Sequence, residues 1–163
     1  MKNKIVLLPV LTFFIISLCF IGYVYFSNPL VFSGGSQYSK DGIEQTVYDF
    51  SNNGFMDITL KEVTVNGKKE PKNVALGVSY DTLQGVQVGT DNPNILFMKL
   101  DEEKIQRKIT SNQALEVINK NEGTPLSYGI LVEYYEEPIE SLTVTYMYFG
   151  LSIKKNMEVF TNN

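Results

Sequence analysis

The sequence has no histidine, no tryptophan and a single cysteine, Cys19. Without imidazole there is no Ser-His or Cys-His dyad, no HExxH zinc site and no side chain that titrates unperturbed near neutral pH. One thiol closes no internal disulfide and builds no zinc cluster. No Asn-x-Ser/Thr sequon occurs, so nothing marks an N-glycosylated surface. Excess positive charge is missing too. Leaving aside Lys2 and Lys4, 12 basic residues face 18 acidic ones, a net of −6 that repels phosphate backbones and argues against nucleic acid as a partner.

Charge is also missing locally, from the 22 residues 5–26. A bilayer core about 30 Å thick needs about 20 apolar residues in a helix, so this run is long enough to span. Lys2 and Lys4 precede it and no acid occurs before Asp41. The positive-inside rule then puts the N-terminus in the cytoplasm, with Tyr23, Tyr25 and Phe26 at the outer interface. Three other readings compete. A cleaved signal peptide has an apolar region of about 7 to 15 residues, shorter than this one, although Val31-Phe32-Ser33 suits a small-residue cleavage rule. A lipoprotein would acylate Cys19, but Leu18 stands where a small residue belongs. A buried core helix would need more surrounding protein than the rest of the chain supplies. The expectation is an uncleaved single-pass anchor in the cell membrane, with residues 1–26 as cytoplasmic N-terminus and span.

Residues 27–39, with Pro29, Gly34-Gly35 and several serines, read as a flexible tether that holds a domain clear of the lipid. Residues 40–163 are then one extracytoplasmic domain of ordinary size. Strand signals dominate it. They lie over 46–50, 56–65, 74–80, 86–88, 95–100, 127–136, 142–152 and about 157–160. In 56–65 the apolar parity shifts between Leu60 and Val63, which predicts a bulge near Lys61-Glu62. Residues 127–136 and 142–152 look like hairpin partners across Glu136-Glu137-Pro138. Thr110 or Ser111 caps a predicted helix running to about Asn121, with Gly123 as its stop. Seven or eight short strands with one inserted helix lead us to expect an all-β fold, an immunoglobulin-like antiparallel β-sandwich.

The candidate sites are few. Glu133, Glu136, Glu137 and Glu140 crowd eight residues, a pattern that serves acid-base catalysis or calcium binding, or simply a soluble, charged hairpin tip. The last is favoured, because the spacing of a calcium loop is absent. Residues 91–94, Asp-Asn-Pro-Asn, offer oxygens to a cation but are equally an Asx turn closed on itself. Asp101, Glu102 and Glu103 with Lys104, Arg107 and Lys108 read as a solvated mixed-charge segment. Ten tyrosines and ten phenylalanines are the most unusual feature. Tyr134, Tyr135, Tyr146, Tyr148 and Phe149 put aromatics on both faces of neighbouring strands, and an exposed aromatic face would bind a protein, peptide or glycan. If both faces are covered, these residues are core. Composition, rich in Lys, Asn and Ile and free of disulfides, suits a bacterial surface protein. The expectation is a membrane-anchored binding or assembly module with no catalytic residues, no metal and no cofactor. The competing expectations are a carboxylate-based envelope hydrolase using Glu133, Glu136, Glu137 or Asp101, and a small immunity or stress factor acting through its membrane helix.

Overall fold

The charge-free run folds as helix α1, Asn3–Phe26, in a computed structural model that describes residues 3–40, 43–83, 85–120 and 123–159. Its stretch Pro9–Phe26 is long and apolar enough to cross a membrane, and it is almost entirely unburied. Those properties fit a membrane span and a signal sequence alike. The helix stops for local reasons. The Ser27 hydroxyl donates to the Val24 carbonyl, Asn28 adopts a left-handed φ of 47°, and Pro29 cannot continue the ladder.

Only residues 27–29 separate α1 from the first strand, β1 (Leu30–Lys40). The expected flexible tether is therefore corrected: β1 pairs along its length with β2 (Ile43–Asn52). Glycine and serine gave it no side-chain period, but ladder hydrogen bonds come from the backbone and need none. A bulge at Ser33 shifts the register just before the glycine pair, which stays in the ladder opposite Asp49 and Tyr48, and Phe32 packs on the rings of Tyr48 and Phe50.

The remaining elements are β3 (Thr59–Val65), β4 (Asn73–Ser79), β5 (Ile95–Met98), α2 (Ser111–Lys120), β6 (Ser127–Glu133), β7 (Ser141–Tyr148) and β8 (Leu151–Glu158). They form two antiparallel sheets, ordered β1-β2-β6-β4-β5 and β3-β7-β8. The expected bulge is present, since the β3–β7 register shifts between Leu60 and Glu62. One core fills the space between the sheets. Tyr48, Leu76, Val78 and Ile130 from one side meet Leu60, Leu142, Val144 and Tyr146 from the other. Ile105, fully buried, bridges to Ile58, and the adjoining Arg107 bridges to Asn52.

Three strand expectations are corrected. Residues 127–136 and 142–152 are not hairpin partners, because β6 pairs with β2 and β4 while β7 lies in the other sheet. The acidic segment between them crosses from sheet to sheet. The run 142–152 is broken at Phe149-Gly150, a two-residue turn with φ of 50° and 76° that folds β8 back on β7. Residues 86–88 are not a strand. Val86 instead lies over the outer face of the five-stranded sheet, packed with Val47 and Leu131. The floor beneath it is the facing pair Gly77 and Gly129, where an added Cβ would collide with the Val86 side chain at the first and with that of Val47 at the second.

Helix α2 agrees with its sequence signals. Thr110 caps it, its hydroxyl accepting the Gln113 N–H while the Gln113 side chain accepts the Thr110 N–H. Gly123 follows with φ of 63°.

Candidate functional site at the helix-bearing end

Four of the five aromatic candidates are packed rather than presented. Tyr134, Tyr146 and Tyr148 are buried in the core between the sheets, so the expected exposed aromatic face does not include them. The reason is parity. In β7, Tyr146 and Tyr148 share the inward side with Leu142 and Val144. Two of the buried hydroxyls hold neighbouring segments, Tyr128 accepting the Gln106 N–H and Tyr148 the Phe55 N–H, while Tyr134 donates to Glu136. Burial pushes the phenols of Tyr48 and Tyr146 up to about 12 and that of Tyr128 higher still, which keeps them neutral. Tyr135 is exposed, with Lys72 over its ring at 5.2 Å.

Phe149 has another job. Its ring stands edge-on to Phe20 of α1 at 5.4 Å and to Tyr148 at 4.7 Å. The last turns of α1 are thereby fastened to the β7–β8 turn. Val24 and Leu30 are both 0% exposed and belong to the same core as the two sheets. Beside this junction lies the loop 53–57. The Asn53 N–H donates to the Pro29 carbonyl, and a Cβ at Gly54 would meet both Pro29 and the Tyr148 hydroxyl, so the close approach requires glycine. Asn52 organises the loop from inside. It is 1% exposed, donates to the carbonyls of Met56 and Ile105, and accepts the Gly54 N–H. The loop projects Phe55 and Met56 outward, with the Arg107 guanidinium 5.6 Å over the Phe55 ring.

The acidic segment lies at the opposite end. Its carboxylates are occupied by different neighbours. Glu133 accepts from Gln45, Glu136 from Tyr134, and Glu137 from Asn66 and Lys69, the last at 2.9 Å. The Lys69 contact, and then the Asn66 hydrogen bond, hold the Glu137 carboxyl below the ordinary range. Asn66 also accepts the N–H groups of Glu140 and Ser141, tying the β3–β4 crossing to the β6–β7 crossing. Among the described residues, no group of three or more His, Cys, Asp or Glu side chains could hold a metal ion.

The Asx turn at 91–94 is closed by protein groups. Asn92 and Asn94 donate to Asp81, which lowers the Asp81 carboxyl, and Asn92 accepts the Asn94 N–H. Asp101 faces Lys61 at 3.6 Å, an exposed pair. Asp49 is half-buried under the loop, accepts the Val86 N–H and is raised by its burial.

Asn52, Phe55 and Met56 are not among the candidate residues that the sequence singles out. The signal was an apolar pair directly after a strong turn, where a loop tip is ordinarily polar. Comparison with protein-family models, curated proteins and solved structures finds no match to this chain.

Proposed function

We propose that the protein is a single-pass membrane protein that keeps α1 as an anchor and carries its β domain outside the cytoplasm as a non-catalytic binding or assembly module. The observation that carries this reading is the burial of Val24 and Leu30 in the domain core. Cleavage after Ser33 would remove both side chains and cut β1 inside its pairing with β2. A signal peptide is discarded, whereas the last turn of this helix is part of what folds. Lys2 and Lys4 before the span support an N-in orientation.

The finer fold reading is immunoglobulin-like. The order β1-β2-β6-β4 against β3-β7-β8 corresponds to strands ABED against CFG of the constant-type arrangement, with β5 added at the β4 edge. The binding reading over a hydrolase is supported by the glutamates, which are held by separate structural partners at a crossing between sheets.

The decisive experiment is intact mass and N-terminal sequencing of the full chain expressed in a bacterial host, after carbonate washing of membranes. The expected result is an uncleaved chain that stays in the membrane pellet. A mature N-terminus at or beyond Gly34 in the soluble fraction would overturn the proposal.

A further inference from the structure

Four of the large apolar side chains left exposed on the β domain, Phe55, Met56, Leu115 and Ile118, are brought to one end by the topology, while Leu83, Leu96 and Phe97 lie on β5 or on the loop before it. Phe55 (67% exposed) and Met56 sit on a loop held to Pro29 and Tyr148, immediately beside the end of α1. Leu115 (59% exposed) and Ile118 lie three residues apart on α2, while Ala114 on the same helix is buried. The connection that carries α2 begins and ends at the same end of the sheets. Lys108 donates to the carbonyl of Asn52, the residue opposite Leu30, and Leu126 donates to that of Ser79, the residue opposite Ser127 at the start of β6.

The depth of this end is set by α1. Phe149 touches Phe20, six residues before the helix ends, so the β7–β8 turn reaches about 9 Å back along the helix axis. The headgroup layer on each side of a bilayer core is about 5–7 Å deep. A domain joined to a span by three residues and locked to it that far down has no room to stand clear of the lipid.

We propose that the helix-bearing end of the β domain is itself a lipid-contacting surface, with the 53–57 loop and the Leu115–Ile118 stripe of α2 resting in the outer interfacial layer of the bilayer that α1 crosses. This inference rests on the anchor reading above. Charge is not the main attraction, since Asp57 and Glu116 accompany Arg107, Lys108 and Lys120 on the same segments. Apolar area is, at about 1.5–3 kcal/mol for a fully buried large side chain. Held beside the membrane by α1, the surface needs no affinity of its own to stay there, because the second contact is intramolecular. Arg107, stacked on Phe55, is placed to meet headgroup phosphates as the ring enters the interface.

The test uses the full chain in vesicles of phosphatidylcholine and phosphatidylglycerol. In a Cys19→Ser background, single cysteines replace Met56, Leu115, Tyr135 or Ile16, each carrying an environment-sensitive fluorophore. Emission is compared with and without lipids brominated on the upper acyl chain. The expected result is a roughly twofold or greater quench at positions 56 and 115, and none at 135, because interfacial side chains sit about 5–10 Å into the headgroup and acyl boundary. Position 16 reports on the anchor alone. Quenching at 16 without quenching at 56 and 115 overturns the lipid contact and leaves the anchor standing. No quenching at any position overturns both. Labels at 56 and 115 that are shielded from aqueous iodide yet unquenched by lipid would assign the surface to a protein partner, and overturn the proposal as well.

Discussion

The two ends of the β domain are each closed by one asparagine, with opposite surroundings. At the helix-bearing end, Asn52 is buried and satisfies the Gly54 N–H and two carbonyls in a nest of Tyr148, Pro29 and Ile105. At the far end, Asn66 is half-buried and spends its amide on Glu137 and Pro138 and its oxygen on two backbone N–H groups. The chemistry is the same and the dielectric is not. A buried donor or acceptor left without a partner costs its full desolvation, whereas an exposed one turns to water. The apolar end should therefore be the rigid one, and the charged end the one that responds to solution conditions.

The comparison breaks first if the junction with α1 is dispensable. Leu30→Ala removes a fully buried side chain where helix and sheets meet, and should cost about 4 kcal/mol. Guanidinium unfolding of the full chain in detergent micelles would read this, and a cost below about 1 kcal/mol would mean that the junction is not core. Next comes the pair of clasps. Asn52→Ala should cost about 3 kcal/mol and Asn66→Ala about 1, each measured by the same unfolding midpoint. Equal costs would remove the distinction between the ends. Tyr148→Phe tests the buried clasp more gently, deleting the acceptor of the Phe55 N–H for about 1 kcal/mol. Amide exchange at Phe55 should rise while that at Glu140 stays unchanged.

How much of this was legible depends on whether a feature lived in side-chain pattern or in backbone. The apolar N-terminal helix, the Leu60–Glu62 bulge and the Thr110 cap were all readable, because each is a statement about which residue types recur at which spacing. The strand at 30–40 was not. Ser-Gly-Gly-Ser-Gln has no apolar period, and it pairs because β2 offers a free edge to any backbone in reach. The β7–β8 turn was missed for a related reason. Phe149 holds a left-handed φ that asparagine or glycine usually marks, and its ring is fixed there by Phe20 and Tyr148. The burial of Tyr134, Tyr146 and Tyr148 was hidden for a different reason. Alternation told which tyrosines share a face, but not that the face of Tyr146 and Tyr148 would be covered by the opposite sheet.

The smallest expected effect is also the sharpest test of what separates the two ends, since only the far clasp contains a titrating pair. Lys69 and then Asn66 hold Glu137 below its ordinary value of 4.5, so the folded state prefers the ionised form. A carboxylate lowered in this way contributes its stability in full above the unfolded-state value. That contribution drains as pH falls through the lower folded value. The Asn52 clasp contains no carboxylate: its bonds run to the Gly54 N–H and to the carbonyls of Met56 and Ile105. Acidification from pH 6 to 3 should therefore lower the exchange protection, the rate taken relative to the intrinsic rate at each pH, at Glu140 and Ser141 before it does so at Gly54 and Phe55. In Lys69→Met, carbonyl NMR should find the Glu137 titration moved up toward 4.5, and the early loosening at Glu140 should begin at higher pH. If protection at both ends fell together in the wild-type chain, the far crossing would be held by its backbone contacts alone. The Lys69–Glu137 pair would then be an exposed ion pair of no consequence for the fold.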